Sequence, residues 1–141
     1  MPNHFHLLLK QSKKMGIDNF MESLGTRYTM YFNKKYKRVG ALCQAVYKAV
    51  LVDNDEQLLY LSSYIHQNPL SKSYHKKQNI LPYLLNQPTS LPEYLGKRQT
   101  EWLNPKPILE FFSNENPNLN YENFIAQNND FSPIKSQLID H

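Results

Sequence analysis

A chain of 141 residues is the size of one compact domain, and its 40% hydrophobic and 13% aromatic content supplies one core, which excludes a wholly disordered chain. The single cysteine, Cys43, excludes an internal disulfide and a cysteine-built zinc cluster, while Leu7-Leu8-Leu9 is too short for a signal-peptide core or a membrane span. We therefore expect a soluble, cytoplasmic protein, and the net charge of +4 with a pI near 9.1 points to a polyanionic partner.

That charge is uneven: residues 1–77 hold 12 Lys and Arg against 5 Asp and Glu, and residues 78–141 hold 4 against 7. Residues 3–11 begin with alternating polar and apolar side chains and end in an apolar run, the pattern of a half-buried strand entering a buried layer. Ser12 to Gly16 reads as a turn. Asp18 or Asn19 then offers the N-cap of a helix whose apolar positions are Phe20, Met21, Leu24, Tyr28, Tyr31 and Phe32. Its polar side and C-terminal end carry Arg27, Lys34, Lys35, Lys37 and Arg38, where cations suit the helix dipole, and Gly40 is placed to stop it. Residues 45–52 are β-branched and aromatic enough for a second strand. Asp53 or Asp55 caps a second helix, with a core stripe of Leu58, Leu61 and Ile65, that runs to about Asn68 before Pro69 blocks it. From Leu70 to about Pro92 the composition predicts a polar connecting loop with little core of its own. Ile108-Leu109-Phe111-Phe112 and Tyr121-Phe124-Ile125 predict two small helices, and the last dozen residues read as a frayed tail.

In a strand, side chains two apart share a face, so His4 and His6 point the same way with Phe5 behind them. Such a pair is either a bidentate metal site or two polar residues on a solvent face. On the second helix Tyr64 and Asn68 lie one turn apart on one flank with Tyr60, whereas His66 falls on the opposite side. Tyr64 and Asn68 can therefore meet one ligand together, or Tyr64 is an amphipathic packing residue with its hydroxyl in water, and spacing alone leaves both open. Arg27, Lys34, Lys35, Lys37, Arg38 and Lys48 are candidate contacts to the phosphates of a polyanion, or they merely solvate a helix face. Tyr28, Tyr31, Tyr36 and Tyr47 are interleaved among them. A cupin would place a glutamate where Leu8, Leu9 and Lys10 stand, and a histidine triad would place a histidine at position 8. Both small-molecule metal enzymes are therefore disfavoured.

Three ordered blocks, Met1-Pro-Asn-His-Phe-His-Leu-Leu-Leu, Leu24-Gly-Thr-Arg-Tyr-Thr with Tyr31-Phe-Asn-Lys-Lys-Tyr, and Tyr64-Ile-His-Gln-Asn-Pro69, resemble the REP-associated branch of the IS200-like single-tyrosine HUH transposases. Pro92-Glu-Tyr-Leu-Gly96 and Trp102 resemble the C-terminal part of that family, which extends the likeness over roughly residues 1–126. The resemblance implies an α+β ferredoxin-like sandwich bearing an HUH strand and a tyrosine helix. It implies Tyr64 as nucleophile, and His4, His6 and Asn68 as holders of a divalent Mg²⁺ or Mn²⁺. Two departures stand out. The family carries a strand, a helix and a strand ahead of the HUH strand, so this chain is expected to lack that part of the sheet and to expose an unpaired edge. Gln44-Ala45-Val46-Tyr47-Lys48 also stands where the family has glycine and arginine before the Tyr-Lys pair.

The expected function is a DNA transposase that cuts and rejoins single-stranded or hairpin DNA through a 5′-phosphotyrosine intermediate. The alternative is a non-catalytic DNA-binding remnant of such an enzyme. A partial catalytic core is expected over residues 1–77, a loop and C-terminal extension over 78–126, and a flexible tail over 127–141. Single-stranded or hairpin DNA is the expected partner, a second copy of the chain is a further candidate, and no membrane is involved.

Overall fold

The computed structural model describes residues 4–44, 46–70, 79–113, 115–127 and 130–138, apart from the side chains of 136 and 137. Among them the chain forms α1 (Gly16–Tyr36), α2 (Asp55–Gln67), α3 (Leu81–Leu85), α4 (Leu91–Tyr94), α5 (Lys106–Leu109) and α6 (Tyr121–Gln127), with 3₁₀ segments at Pro117–Leu119 and Ser132–Gln137. The chain divides into two compact units, Leu8–Val50, and Met1–Leu7 with Leu51–His141.

No strand is present among the described residues, so the expected ferredoxin-like α+β sandwich is not formed. The two segments read as strands, of which Asn3 and Ala45 lie outside the described residues, run without ladder pairing. The physical reason is that strand propensity measures fit to a pleated, half-buried surface, and a strand exists only where a neighbour takes its N–H and C=O groups. Side chains in both segments face solvent instead: Phe5, expected behind the histidines, is 57% exposed, and Leu51 is 78% exposed.

In the unit Leu8–Val50, α1 starts two residues before the expected Asp18 cap. Met15 occupies the cap position with φ 60, and no side chain caps the helix. Asp18 is engaged elsewhere, accepting a hydrogen bond from the Tyr47 hydroxyl that holds the 46–50 segment to the first turn and raises the Tyr47 phenol's affinity for its proton. At the other end the chain turns left-handed at Lys37, φ 52, and the Lys37 and Arg38 amides both donate to the Asn33 carbonyl. Gly40, expected to stop the helix, has φ 92 and lies in the following turn, where its carbonyl accepts from Asn33 Nδ2 at 2.8 Å.

In the other unit, α2 is capped by Asn54, whose side chain accepts from the Gln57 amide at 2.9 Å while Gln57 Oε1 accepts from the Asp53 amide at 3.0 Å. This reciprocal pair satisfies donors that the first helical turn leaves open. Asn54→Ala should cost about 1 kcal/mol of stability, measured by urea unfolding.

The buried face of α2 is not the expected Leu58, Leu61 and Ile65 stripe, whose members are only half-buried. It is Ser62, Ser63, His66 and Gln67. The core packed near them comes from later in the chain: Ile80, Leu84, Leu91, Ile108, Tyr121, Ile125 and Ile134 are all buried. The stretch read as a polar loop after Leu70 falls partly on 71–78, outside the described residues. Its described part supplies α3, α4 and three of these core residues. Short helices with proline at their first positions, as in α3, α4 and α5, place single apolar side chains inward without needing a long periodic stripe. The two small helices predicted near Ile108 and Tyr121 are present as α5 and α6. No helix among the described residues is long and apolar enough to cross a membrane.

Candidate active site

His4 and His6 precede α2 in the chain by some fifty residues, yet they belong to the same compact unit as Tyr64 and Asn68. Tyr64 and Asn68 sit on the last turn of α2 and at its C-cap, where the Asn68 amide donates to the Tyr64 carbonyl at 2.8 Å. One helical turn therefore fixes their separation. The Asn68 carboxamide nitrogen lies 3.4 Å from His6 Nε2. The His6 ring meets the Tyr64 ring edge-on at 6.1 Å between centroids and 69° between planes. The His4 ring lies 5.3 Å from that of His6, at 88°. His4 is exposed, while His6, Tyr64 and Asn68 are half-buried. The chain thus brings all four side chains into one cluster, His6 touching the other three, although the segment carrying the imidazoles is not a strand.

The donor set suits a divalent cation. A carboxamide turned about its terminal bond presents oxygen in place of nitrogen toward the imidazole, and two neighbouring ligands on an octahedral cation with bonds of about 2.1 Å stand about 3 Å apart. The spacing of 3.4 Å between the Asn68 amide and His6 Nε2 needs little adjustment to meet that. Among the described residues no group of three or more His, Cys, Asp or Glu side chains is placed to hold a metal, here or elsewhere, so a third protein ligand at this cluster would have to be Asn68.

Tyr64 has a second ring neighbour, which the sequence did not disclose. Phe131 packs edge-on against its ring at 5.3 Å and 80°. Only a long-range fold could bring residue 131 there, since no local spacing links it to α2. Tyr60, expected on the same flank, instead meets Phe124 of α6 at 6.2 Å.

His66, set aside by helical geometry as facing away, is buried and bonded through both ring nitrogens. Its Nδ1 donates to the Tyr121 hydroxyl at 3.0 Å, which in turn donates to Ser62 Oγ at 3.0 Å, which donates to the Leu59 carbonyl at 2.7 Å. The Ser90 hydroxyl, at 2.9 Å, donates to Nε2. Every hydroxyl and ring nitrogen in this relay has a partner if the imidazole is neutral. Desolvation accordingly lowers the His66 pKa to about 4, against an opposing pull from the Glu93 carboxylate. Glu93 is itself held at about 2 by the Arg98 guanidinium and the Thr100 hydroxyl. Burial raises the Tyr94 phenol to about 12 and pushes that of Tyr121 higher. These groups hold α2 against α4 and α6 and present no reactive edge.

The candidate DNA contacts Arg27, Lys34, Lys35, Lys37, Arg38 and Lys48 all belong to the unit Leu8–Val50 and all are exposed. Lys35 Nζ sits 5.7 Å from the Tyr31 ring and 5.4 Å from the Tyr36 ring, and the Arg38 guanidinium 5.7 Å from Phe32. Arg27 borders a shallow groove on α1 with Phe20, Ser23, Leu24 and Tyr28. Cations and exposed aromatic rings therefore alternate along one helix, a surface chemistry suited to a polyanion with bases.

Residues 1–68, just under half of the chain, match the family model described as "Transposase IS200 like". That part of the chain, which carries His4, His6, Tyr64 and Asn68, is thus similar to IS200-like transposases. Neither a curated protein nor a solved structure matches the chain.

Proposed function

We propose that this chain is the tyrosine-bearing part of a REP-associated, IS200-like transposase that cuts and rejoins single-stranded or hairpin DNA ends. The carrying observation is that Tyr64, His6 and Asn68 meet in one cluster together with His4. A divalent Mg²⁺ or Mn²⁺ held by His4, His6 and Asn68 would polarise the non-bridging oxygens of a phosphodiester. Tyr64 supplies the nucleophile: its phenolic oxygen forms a bond to phosphorus as the bond to the 3′-oxygen breaks, the phenol's proton is lost, and the leaving oxygen takes up a proton. A 5′-phosphotyrosine and a free 3′-hydroxyl result. Because one phosphoester replaces another, a second 3′-hydroxyl can reverse the exchange and join strands without a nucleotide cofactor.

A duplex restricts access to its backbone and hides base faces, whereas single-stranded DNA offers both to cations and aromatic rings. Arg27, Lys34, Lys35, Lys37, Arg38 and Lys48 are the proposed phosphate contacts, with the rings of Tyr31 and Tyr36 available to bases. The core over 1–77, the extension over 78–126 and the tail over 127–141 remain our working division of the chain, with a second copy as a candidate partner.

The full chain incubated with hairpin-ended single-stranded DNA and Mn²⁺ should form a denaturant-resistant protein–DNA adduct. A chelator should abolish it, and His6→Ala should slow it by at least about a hundredfold, the upper end of what losing a mere partner of a metal ligand costs. Equal adduct yields with and without chelator would refute the metal assignment. Retarded migration of the DNA with no adduct under any condition would favour the non-catalytic DNA-binding alternative.

A further inference from the structure

Tyr64 is flanked by two edge-on rings. One is His6, already placed in the site. The other is Phe131, at 5.3 Å and 80°, contributed from 67 positions further along the chain. We propose that Phe131 is a positioning residue for Tyr64, fixing the phenol's direction of attack from the side opposite in chain order to the histidines. This rests on the reading of Tyr64 as nucleophile.

The backbone that presents Phe131 is itself held. Asp130 accepts from both the Ser132 amide at 2.9 Å and the Ser132 hydroxyl at 3.0 Å, which closes the turn around Phe131. The Ile134 amide donates to the Phe131 carbonyl at 3.1 Å, and the Ile134 side chain is fully buried, anchoring the 3₁₀ segment Ser132–Gln137 that packs on α2. Of a tyrosine's two side-chain torsions, the first swings the hydroxyl through space and the second only turns the ring about the axis that carries the oxygen; a ring packed edge-on beside the phenol limits the first as well as the second. In-line displacement is steep in geometry, since a misplacement of about 1 Å can cost about a hundredfold in rate. A ring that limits the swing of the nucleophile therefore acts on turnover and not on DNA affinity. Phe131 touches no reacting atom in this account. It acts through Tyr64.

The test compares the full-length wild type with F131L, F131A and F131Y, scoring single-turnover adduct formation, DNA affinity and melting temperature. F131L fills most of the space without a ring, and F131Y keeps the ring. The expected result is a loss of adduct rate of about tenfold or more in F131L and F131A, with DNA affinity unchanged within about twofold and wild-type rate restored in F131Y. In parallel, with tyrosines isotopically labelled at the ring and the Tyr64 signal assigned by its loss in Y64F, the ring-current shift of that signal should shrink in F131L to the part that His6 contributes and persist in full in F131Y. A wild type that forms the adduct at a rate F131L does not change overturns the positioning role and leaves the nucleophile standing. A wild type that forms no adduct overturns the nucleophile reading and the positioning role with it. A rate loss in F131L that F131Y does not rescue, or that tracks a fall in melting temperature, reduces Phe131 to a packing residue.

Discussion

Tyr64→Phe should abolish covalent attachment to DNA, lowering the adduct rate by on the order of 10⁴-fold or more, because a phenyl ring offers no atom to bond to phosphorus. The substitution removes one oxygen from a half-buried side chain, and the ring that meets His6 and Phe131 is retained. Stability and DNA affinity should therefore hold while chemistry is lost. Gel separation under denaturing conditions measures the first quantity, and filter binding at a stated salt concentration the second, since phosphate contacts are salt-dependent. An adduct undiminished in this variant would remove Tyr64 from the chemistry.

The second large effect is on stability in acid. His66 titrates near 4 in the folded chain and near 6.5 when exposed on unfolding. Below pH 6.5 the unfolded chain therefore binds a proton that the folded chain refuses, and stability falls as pH falls until about pH 4, where the folded imidazole takes up its own proton. The loss across that window is roughly 3 kcal/mol, at about 1.4 kcal/mol per unit of displacement. Glu93, depressed to about 2 by Arg98 and Thr100, continues the trend: its contribution is present above the ordinary carboxylate range and is lost as pH falls toward 2. Urea unfolding at pH 7.5, 6, 5 and 4 should show the midpoint falling through this range. His66→Gln, which keeps hydrogen-bonding capacity and does not titrate, should flatten the part above pH 4. A midpoint that does not move between pH 7.5 and 5 would contradict the buried, neutral relay through Ser90, Tyr121 and Ser62.

The helices were legible in the sequence where a local rule governs them. The period of α1 and α2 announced both, and Pro69 marked where α2 stops; the α2 cap lies one residue from either expected aspartate, because Asn54 caps as well as its neighbours do, whereas the α1 cap position falls at Met15, three residues before Asp18, with no capping side chain to mark it. The strands were misread for a different reason. Alternation in residues 3–11 and β-branching in 45–52 describe side chains that suit a sheet, but sheet formation depends on a partner that no single segment encodes, and none pairs among the described residues. The inward face of α2 was likewise set from outside. Leu58, Leu61 and Ile65 form the more apolar stripe, yet α4 and α6 supply Ser90 and Tyr121 as partners for His66, so the polar face is the one that is buried.

The candidate site divides along the same line. Tyr64 and Asn68 are one turn apart on any helix, so their pairing could be read from spacing, and the three motif blocks linked them to His4 and His6. Period-2 geometry, the reason first given for His4 and His6 acting together, is not what joins them, since their segment carries no ladder. Their rings still stand at 5.3 Å. Phe131 had no signal in the sequence, because its meeting with Tyr64 depends on the fold of everything between them.

The proposed activity requires one covalent bond between a particular phenol and DNA. Peptide mapping by mass spectrometry of the adduct formed with Mn²⁺ and hairpin-ended single-stranded DNA should find a phosphonucleotide mass on the peptide containing Tyr64, with fragmentation placing it on that side chain. The same mass on Tyr60, on any other of the chain's tyrosines, or on no tyrosine at all would contradict it.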